Sequence, residues 1–130
     1  DEKQTQSHFS DPLQYLYEPN ASILKAGAFK LVGKHFGLAK LSANTHLYTS
    51  DTLVDTFPGR IFKVESLIKS NPKEVSAKFP DQKANVVTRN YPLTPVELKK
   101  KLNLQDGGDK YLMGCSGEKQ KFLIAAERIK

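Results

Sequence analysis

The sequence predicts an α+β fold: a single domain with a mixed β-sheet, about three helices packed against it and a C-terminal β-hairpin. Three observations point there. The chain has 130 residues, within the usual ~100–200 residues of one domain. Hydrophobic residues make up 38% of it, with seven Phe and five Tyr to fill an interior. Two proline-headed capping motifs, Asn71-Pro72-Lys73-Glu74 and Thr94-Pro95-Val96-Glu97, stand among segments that read as strands. A chain of this size buries roughly two thirds of the surface its unfolded form exposes, enough for a core without staples. That excludes a disordered chain and a disulfide scaffold. The longest apolar runs, such as Phe122-Leu123-Ile124-Ala125-Ala126, are too short to span a bilayer, so no membrane partner is expected.

Taken in order, residues 1–12 are polar and without periodicity, and read as a tail or linker. Leu13–Glu18 is aromatic-rich and predicts a short strand stopped by Pro19-Asn20. Asn20 suits the N-cap of one helix running to about Phe36. There Ile23, Gly27, Leu31 and His35 fall at i+4 steps beside Leu24, Ala28 and Val32, an apolar arc broad enough to sit centrally in the core. Gly37 then closes that helix. A strand follows at Leu47–Thr49, and Pro58-Gly59 marks a turn. Arg60–Ile68 alternates Ile61, Lys63 and Glu65 against Phe62, Val64 and Ser66, the period of a half-buried strand. In each capping motif the Pro takes the first helical position and the Glu reaches back to the cap. Helices are therefore predicted over about 72–79 and 95–103. Ala84–Asn90 reads as a strand between them. After a break at Gly107-Gly108, Lys110–Cys115 and Lys121–Ile129 flank Ser116-Gly117-Glu118 as the terminal hairpin. No repeat indicates a solenoid.

Charge is uneven along the chain. Residues 1–59 hold five Lys/Arg and six Asp/Glu, a net −1, whereas residues 60–130 hold fifteen and eight, a net +7, so the whole excess of positive charge lies in the second half. A pI near 9.4 suits a polyanionic partner through phosphate attraction, and equally a solvated lysine-rich surface. The only methionine is Met113 and the chain opens at Asp1, so it reads as an excised domain or a processed chain. Cys115 is the single cysteine. Its apolar neighbours predict a buried, inert thiol, and one cysteine without a framework fits a reducing, cytoplasmic compartment.

Enzymatic signals are thin. There is no P-loop, no glycine-rich strand-to-helix fingerprint and no paired metal ligands; Gly107-Gly108 precedes a strand, the wrong context for cradling phosphate. His8 lies in the tail, His35 at a helix end where a cation suits the dipole, and His46 beside a strand as a surface or hydrogen-bonded residue. No catalytic, cofactor-binding or metal residue is assigned. The candidate binding set is basic: Arg60, Arg89, Lys99, Lys100 and Lys101, with Tyr91 as an aromatic neighbour. Guanidinium and ring faces stack bases while ammonium groups meet phosphates. Lys99–Lys101 also reads as the solvated face of a helix, and Arg89, constrained amid Val86 and Val87, also reads as half of a structural ion pair.

Whole segments resemble one known family. Tyr15-Leu16-Tyr17-Glu18-Pro19-Asn20 with Ile23-Leu24-Lys25-Ala26-Gly27 looks like the YxYEPnxxIxKAG opening of the THUMP-like domain. That is the C-terminal domain of bacterial, Bacteroidetes-type class I S-adenosylmethionine-dependent methyltransferase-like proteins. The likeness continues collinearly through Leu47–Ser50, Pro58–Val64, Ala84–Pro92, Leu98–Leu102 and Asp106–Gly108 to the final hairpin, covering about residues 13–130. It implies that residues 1–12 link to an absent upstream catalytic domain. It further implies an RNA-binding accessory role (tRNA or rRNA) that presents substrate to that domain, an intramolecular methyltransferase partner, and S-adenosylmethionine as cofactor of the absent half, with none in this fragment. The fragment alone is then no enzyme, although its parent is. The family's basic strand segment falls on Thr88-Arg89-Asn90, with Thr88 where a second cation is common. The competing reading is a structural module that braces the methyltransferase without touching RNA. A secreted stand-alone domain is a third reading, which the lone Cys115 does not favour. Convergence of Arg60, Arg89 and Lys99–Lys101 on one face would favour RNA binding; scatter would favour bracing.

Overall fold

Eleven elements follow one another in the computed structural model, which describes residues 1–130: β1 (Tyr15–Pro19), α1 (Ala21–Ala26), α2 (Phe29–Phe36), β2 (Ala39–Ser42), β3 (Thr45–Ser50), β4 (Gly59–Ile68), α3 (Pro72–Lys78), β5 (Lys83–Arg89), α4 (Pro95–Leu102), β6 (Gln105–Ser116) and β7 (Lys121–Arg128). The seven strands form one sheet in the order β2-β3-β1-β4-β7-β6-β5. Every neighbouring pair is antiparallel except β5 and β6, which are parallel, so the sheet is mixed as the sequence predicts. α4 is the crossover that β5 and β6 require.

Strand alternation sorts the core into two faces. Leu123 and Ala125 of β7 meet Val75 and Phe79 of α3 and Leu98 and Leu102 of α4. On the same face, toward the other wing, Tyr17, Tyr48 and Ile61 pack under Val32 and Phe36 of α2. Phe122, Ile124 and Ala126 turn to the opposite face and join Leu16, Leu47, Phe62, Met113 and Cys115. No helix covers that second face. It is buried because the sheet curls until its two wings meet: Asn90, just beyond β5, donates from Nδ2 to Thr45 Oγ1 of β3 at 3.0 Å, and Thr45 Oγ1 donates to the Ser116 carbonyl at 2.7 Å.

The structure corrects the first helix. Gly27 takes φ +64° and ends α1 after six residues, so the helix predicted from Asn20 to Phe36 is two. Asn20 does cap α1, accepting from the Ile23 N–H, and Gly37 at φ +67° does close α2. The pair is not central to the core either. α1 buries no residue and α2 only Gly33, so the amphipathic α2 lies as a cover on Tyr48 and Phe57. β2 has four residues, too short for an alternation to register. Gly107-Gly108 does not break the strand: β6 runs from Gln105, and its ladder jumps from Ala84↔Asp106 to Asn85↔Tyr111, bulging out the glycines. Residues 1–12 are tied to the fold. The Lys40 N–H donates to the His8 carbonyl at 2.8 Å, and the Glu2 carboxylate accepts from the N–H groups of Lys30 and Leu31 at 2.7 and 3.0 Å. Glu2 thereby caps α2, whose own N-cap residue Ala28 has no side chain to do so.

Candidate functional site

Glu18 lies on the helix-free face near the end of β1, its side chain 11% exposed, and two arginines converge on it. Arg60, at the start of β4 next door, approaches Oε1 through Nε at 2.7 Å and Nη2 at 2.6 Å. Arg89, at the end of the edge strand β5, reaches Oε2 at 2.5 Å. The Arg60 guanidinium also lies 5.3 Å from the centre of the Phe62 ring, a cation–π contact. Of the two sequence readings for Arg89, the structural ion pair is the one formed, with Glu18. Nothing local in the sequence marks Glu18 as an ion-pair centre, because its partners lie 42 and 71 positions downstream.

The lysines are elsewhere. Leu98 and Leu102 anchor α4 to the helix-covered face, which turns Lys99, Lys100 and Lys101 away from the arginines. Lys99 pairs with Asp106 at 2.9 Å, whereas Lys100 and Lys101 have no ion pair. Thr94 makes a complete capping box, accepting from the Glu97 N–H while its own N–H donates to the Glu97 carboxylate. Tyr91 packs its ring on Gly114, where a Cβ would stand 3.0 Å from Cδ2. Burial raises its pKa, with Cys115 adding to the shift. Tyr91 and Lys101 both line a cleft of about 700 Å³ between the end of β4 and the start of β7. The structure thus brings together Arg60 with Arg89, and Lys101 with Tyr91, on opposite faces of the sheet.

A third polar cluster lies under the N-terminal residues. Lys40 is 4% exposed, and its Nζ donates to the Ala43 carbonyl at 2.9 Å while standing 3.0 Å from His46 Nδ1. The His46 ring stacks on Phe29 with centroids 3.7 Å apart. Burial lowers the pKa of both groups; Lys40 lowers that of His46 further, while Glu2 partly restores that of Lys40. His46 is therefore hydrogen-bonded, and His35 meets Phe36 edge-on in the last turn of α2. Cys115 is buried, its thiol pushed up to about 12 by desolvation.

A curled mixed sheet with helices on one face, carrying a basic second half, defines the class. A THUMP domain-like description matches residues 59–128, and a ferredoxin-like domain description matches residues 15–58. The chain belongs to the THUMP domain-like family. It is similar to the crystal structure of a proposed methyltransferase from Porphyromonas gingivalis, with 36% identity and a TM-score of 0.88 over 99% of this chain. This chain spans 33% of that protein. Among curated proteins none matches the chain.

Proposed function

We propose that this chain is an RNA-binding accessory domain that presents structured RNA, a tRNA or rRNA, to the catalytic part of an S-adenosylmethionine-dependent RNA methyltransferase of the cytoplasm. The observation that carries this reading is the free positive charge of the second half. Of the fifteen Lys and Arg in residues 60–130, only Arg60, Arg89 and Lys99 have an ion-pair partner, which leaves twelve cations without one. Membership in the THUMP domain-like family and similarity to a proposed methyltransferase support the same reading. Within it, phosphate contacts fall to lysines such as Lys100 and Lys101 ahead of Arg60 and Arg89, which Glu18 already engages. The residues of this chain do not fit S-adenosylmethionine. No glycine stands between a strand and the helix that follows it, since Gly107 and Gly108 lie inside β6.

Bracing of the methyltransferase is the second reading. It is favoured by the separation of arginines and lysines onto opposite faces, and by apolar side chains left exposed at Leu24, Leu31 and Leu53.

Fluorescence anisotropy with a labelled tRNA and a hairpin RNA, across a salt series, separates the two. RNA binding requires measurable affinity at low salt that falls steeply as salt rises. Lys100→Ala/Lys101→Ala should weaken both RNAs alike and flatten the salt slope by about one unit per lysine. No binding at low salt leaves bracing as the function.

A further inference from the structure

The cleft that Tyr91 and Lys101 share combines cations with apolar side chains. Three lysines from three separate stretches of the chain stand around it: Lys69 just after β4, Lys101 on α4 and Lys121 at the start of β7. No acidic side chain lines it, and none of the three ammonium groups has an ion-pair partner. Between them runs an apolar wall that includes Leu67, half exposed, together with Tyr91 and Phe122. Its volume of about 700 Å³ is of the size that accepts a small organic group. A larger hollow of about 780 Å³ beneath the N-terminal residues has Asp1 on its wall as well as lysines, so its charge is mixed.

Resting on the RNA-binding reading, we infer that this cleft holds an unpaired stretch of RNA, with a base against Leu67, Tyr91 and Phe122 and its flanking phosphates on Lys69, Lys101 and Lys121. Charge complementarity sets the polyanion. The apolar wall sets the unpaired state. A duplex turns phosphates and sugars outward and keeps its base faces stacked, so it would cover the wall without filling it. An unpaired nucleotide offers an aromatic face and a phosphate within one nucleotide's reach, which suits a wall with cations around it.

The experiment compares a labelled single-stranded RNA of about ten nucleotides with the blunt duplex of the same sequence. The 130-residue chain is tested beside Lys69→Ala/Lys121→Ala and Leu67→Ser, with thermal unfolding to show that each variant is folded. The single strand should bind more tightly than the duplex. The double lysine variant should lower single-strand affinity about tenfold and reduce its salt slope by about 0.7 unit per lysine. Leu67→Ser, which keeps the charge, should weaken the single strand, leave its salt slope unchanged and leave duplex binding as it was. If RNA is bound but single strand and duplex are bound alike, or both variants bind as the parent does, the cleft assignment fails and the RNA-binding reading stands. If no RNA is bound at low salt, both fall. If polyglutamate displaces the single strand as readily as unlabelled single strand does, the cleft is a general polyanion surface and the assignment is overturned.

Discussion

Arg89, on the edge strand β5, forms an ion pair with Glu18 on β1 although β4, β7 and β6 stand between those strands in the sheet. Only a curled sheet permits this contact, so the ion pair acts as a clasp between the wings. Arg60 holds the other carboxylate oxygen and orients Glu18 toward its distant partner.

Glu18→Gln removes the charge both guanidinium groups share and should destabilise the fold by about 2 kcal/mol, the range of one charge-assisted hydrogen bond. Both arginines are partly exposed, at 30% and 43% of their side chains, so water compensates for part of the loss. Arg89→Met should cost less, because Arg60 still holds Oε1 and offsets the Glu18 charge. Urea midpoints measure both, and a Glu18→Gln midpoint equal to the parent's would show that the clasp carries no stability. Since Glu18 engages Arg89, Arg89→Lys should shift the midpoint more than it shifts RNA affinity.

Gly59 is fixed by a backbone contact. A Cβ built there would lie 1.9 Å from the Glu18 carbonyl oxygen, so even alanine must push β4 away from β1 at the pair Pro19↔Gly59. The obstacle is backbone and cannot swing aside. Gly59→Ala should therefore cost about 3 kcal/mol, the upper end of ordinary overpacking. A thermal midpoint within a degree of the parent's would contradict the geometry.

How much could be read from the sequence follows from the range of each signal. The caps at Asn71 and Thr94 involve neighbours three residues apart, and α3 and α4 begin where those motifs place them. β4, β7 and the second half of β6 follow from alternation and turn residues. The split at Gly27 has no local signature, because the apolar steps continue in phase through the glycine and only its positive φ ends the helix. Of the candidate site, the basic residue types were legible, but their neighbours were not. Glu18 joins Arg89 through a curl that no local pattern encodes, and Lys69 and Lys121 reach the cleft with Lys101 only once β4, β7 and α4 are packed.

The capping box of α4 gives a prediction with two readouts. Thr94→Ala removes the acceptor for the Glu97 N–H and should cost about 1 kcal/mol. The Thr94 backbone N–H, and secondarily its side chain, hold the Glu97 carboxyl below its ordinary value. A depressed carboxylate pKa contributes stability that is present above the unfolded value and lost as pH falls through the folded one. Thr94→Ala and Glu97→Gln should therefore be less than additive at neutral pH, and the coupling should shrink on acidification. Additive midpoint shifts at both pH values would mean that the two residues act independently.

His46 supplies the pH dependence nearer neutrality. Burial first, and the adjacent Lys40 second, hold its imidazole below the ordinary value. The unfolded chain therefore takes up a proton before the folded one does. Stability from this group is fully present above the unfolded pKa of about 6.5 and declines as pH falls toward the folded value. His46→Gln should flatten the fall in stability between about pH 7 and pH 5.5, a window in which histidine is the side chain that ordinarily titrates. Lys40→Met separates the two causes. It removes the neighbouring charge but keeps the site covered, so the His46 titration followed by NMR should move upward and still stop short of an exposed imidazole. The same substitution removes the ammonium of a buried lysine that has no carboxylate within ion-pair distance. It should thus leave the urea midpoint unchanged or raise it, as replacing buried charge with a well-packed apolar side chain often does. An unmoved His46 titration would show that burial alone sets the imidazole, and a large drop in the midpoint would show that the bonds from Lys40 to Ala43 and His46 hold β2 in place.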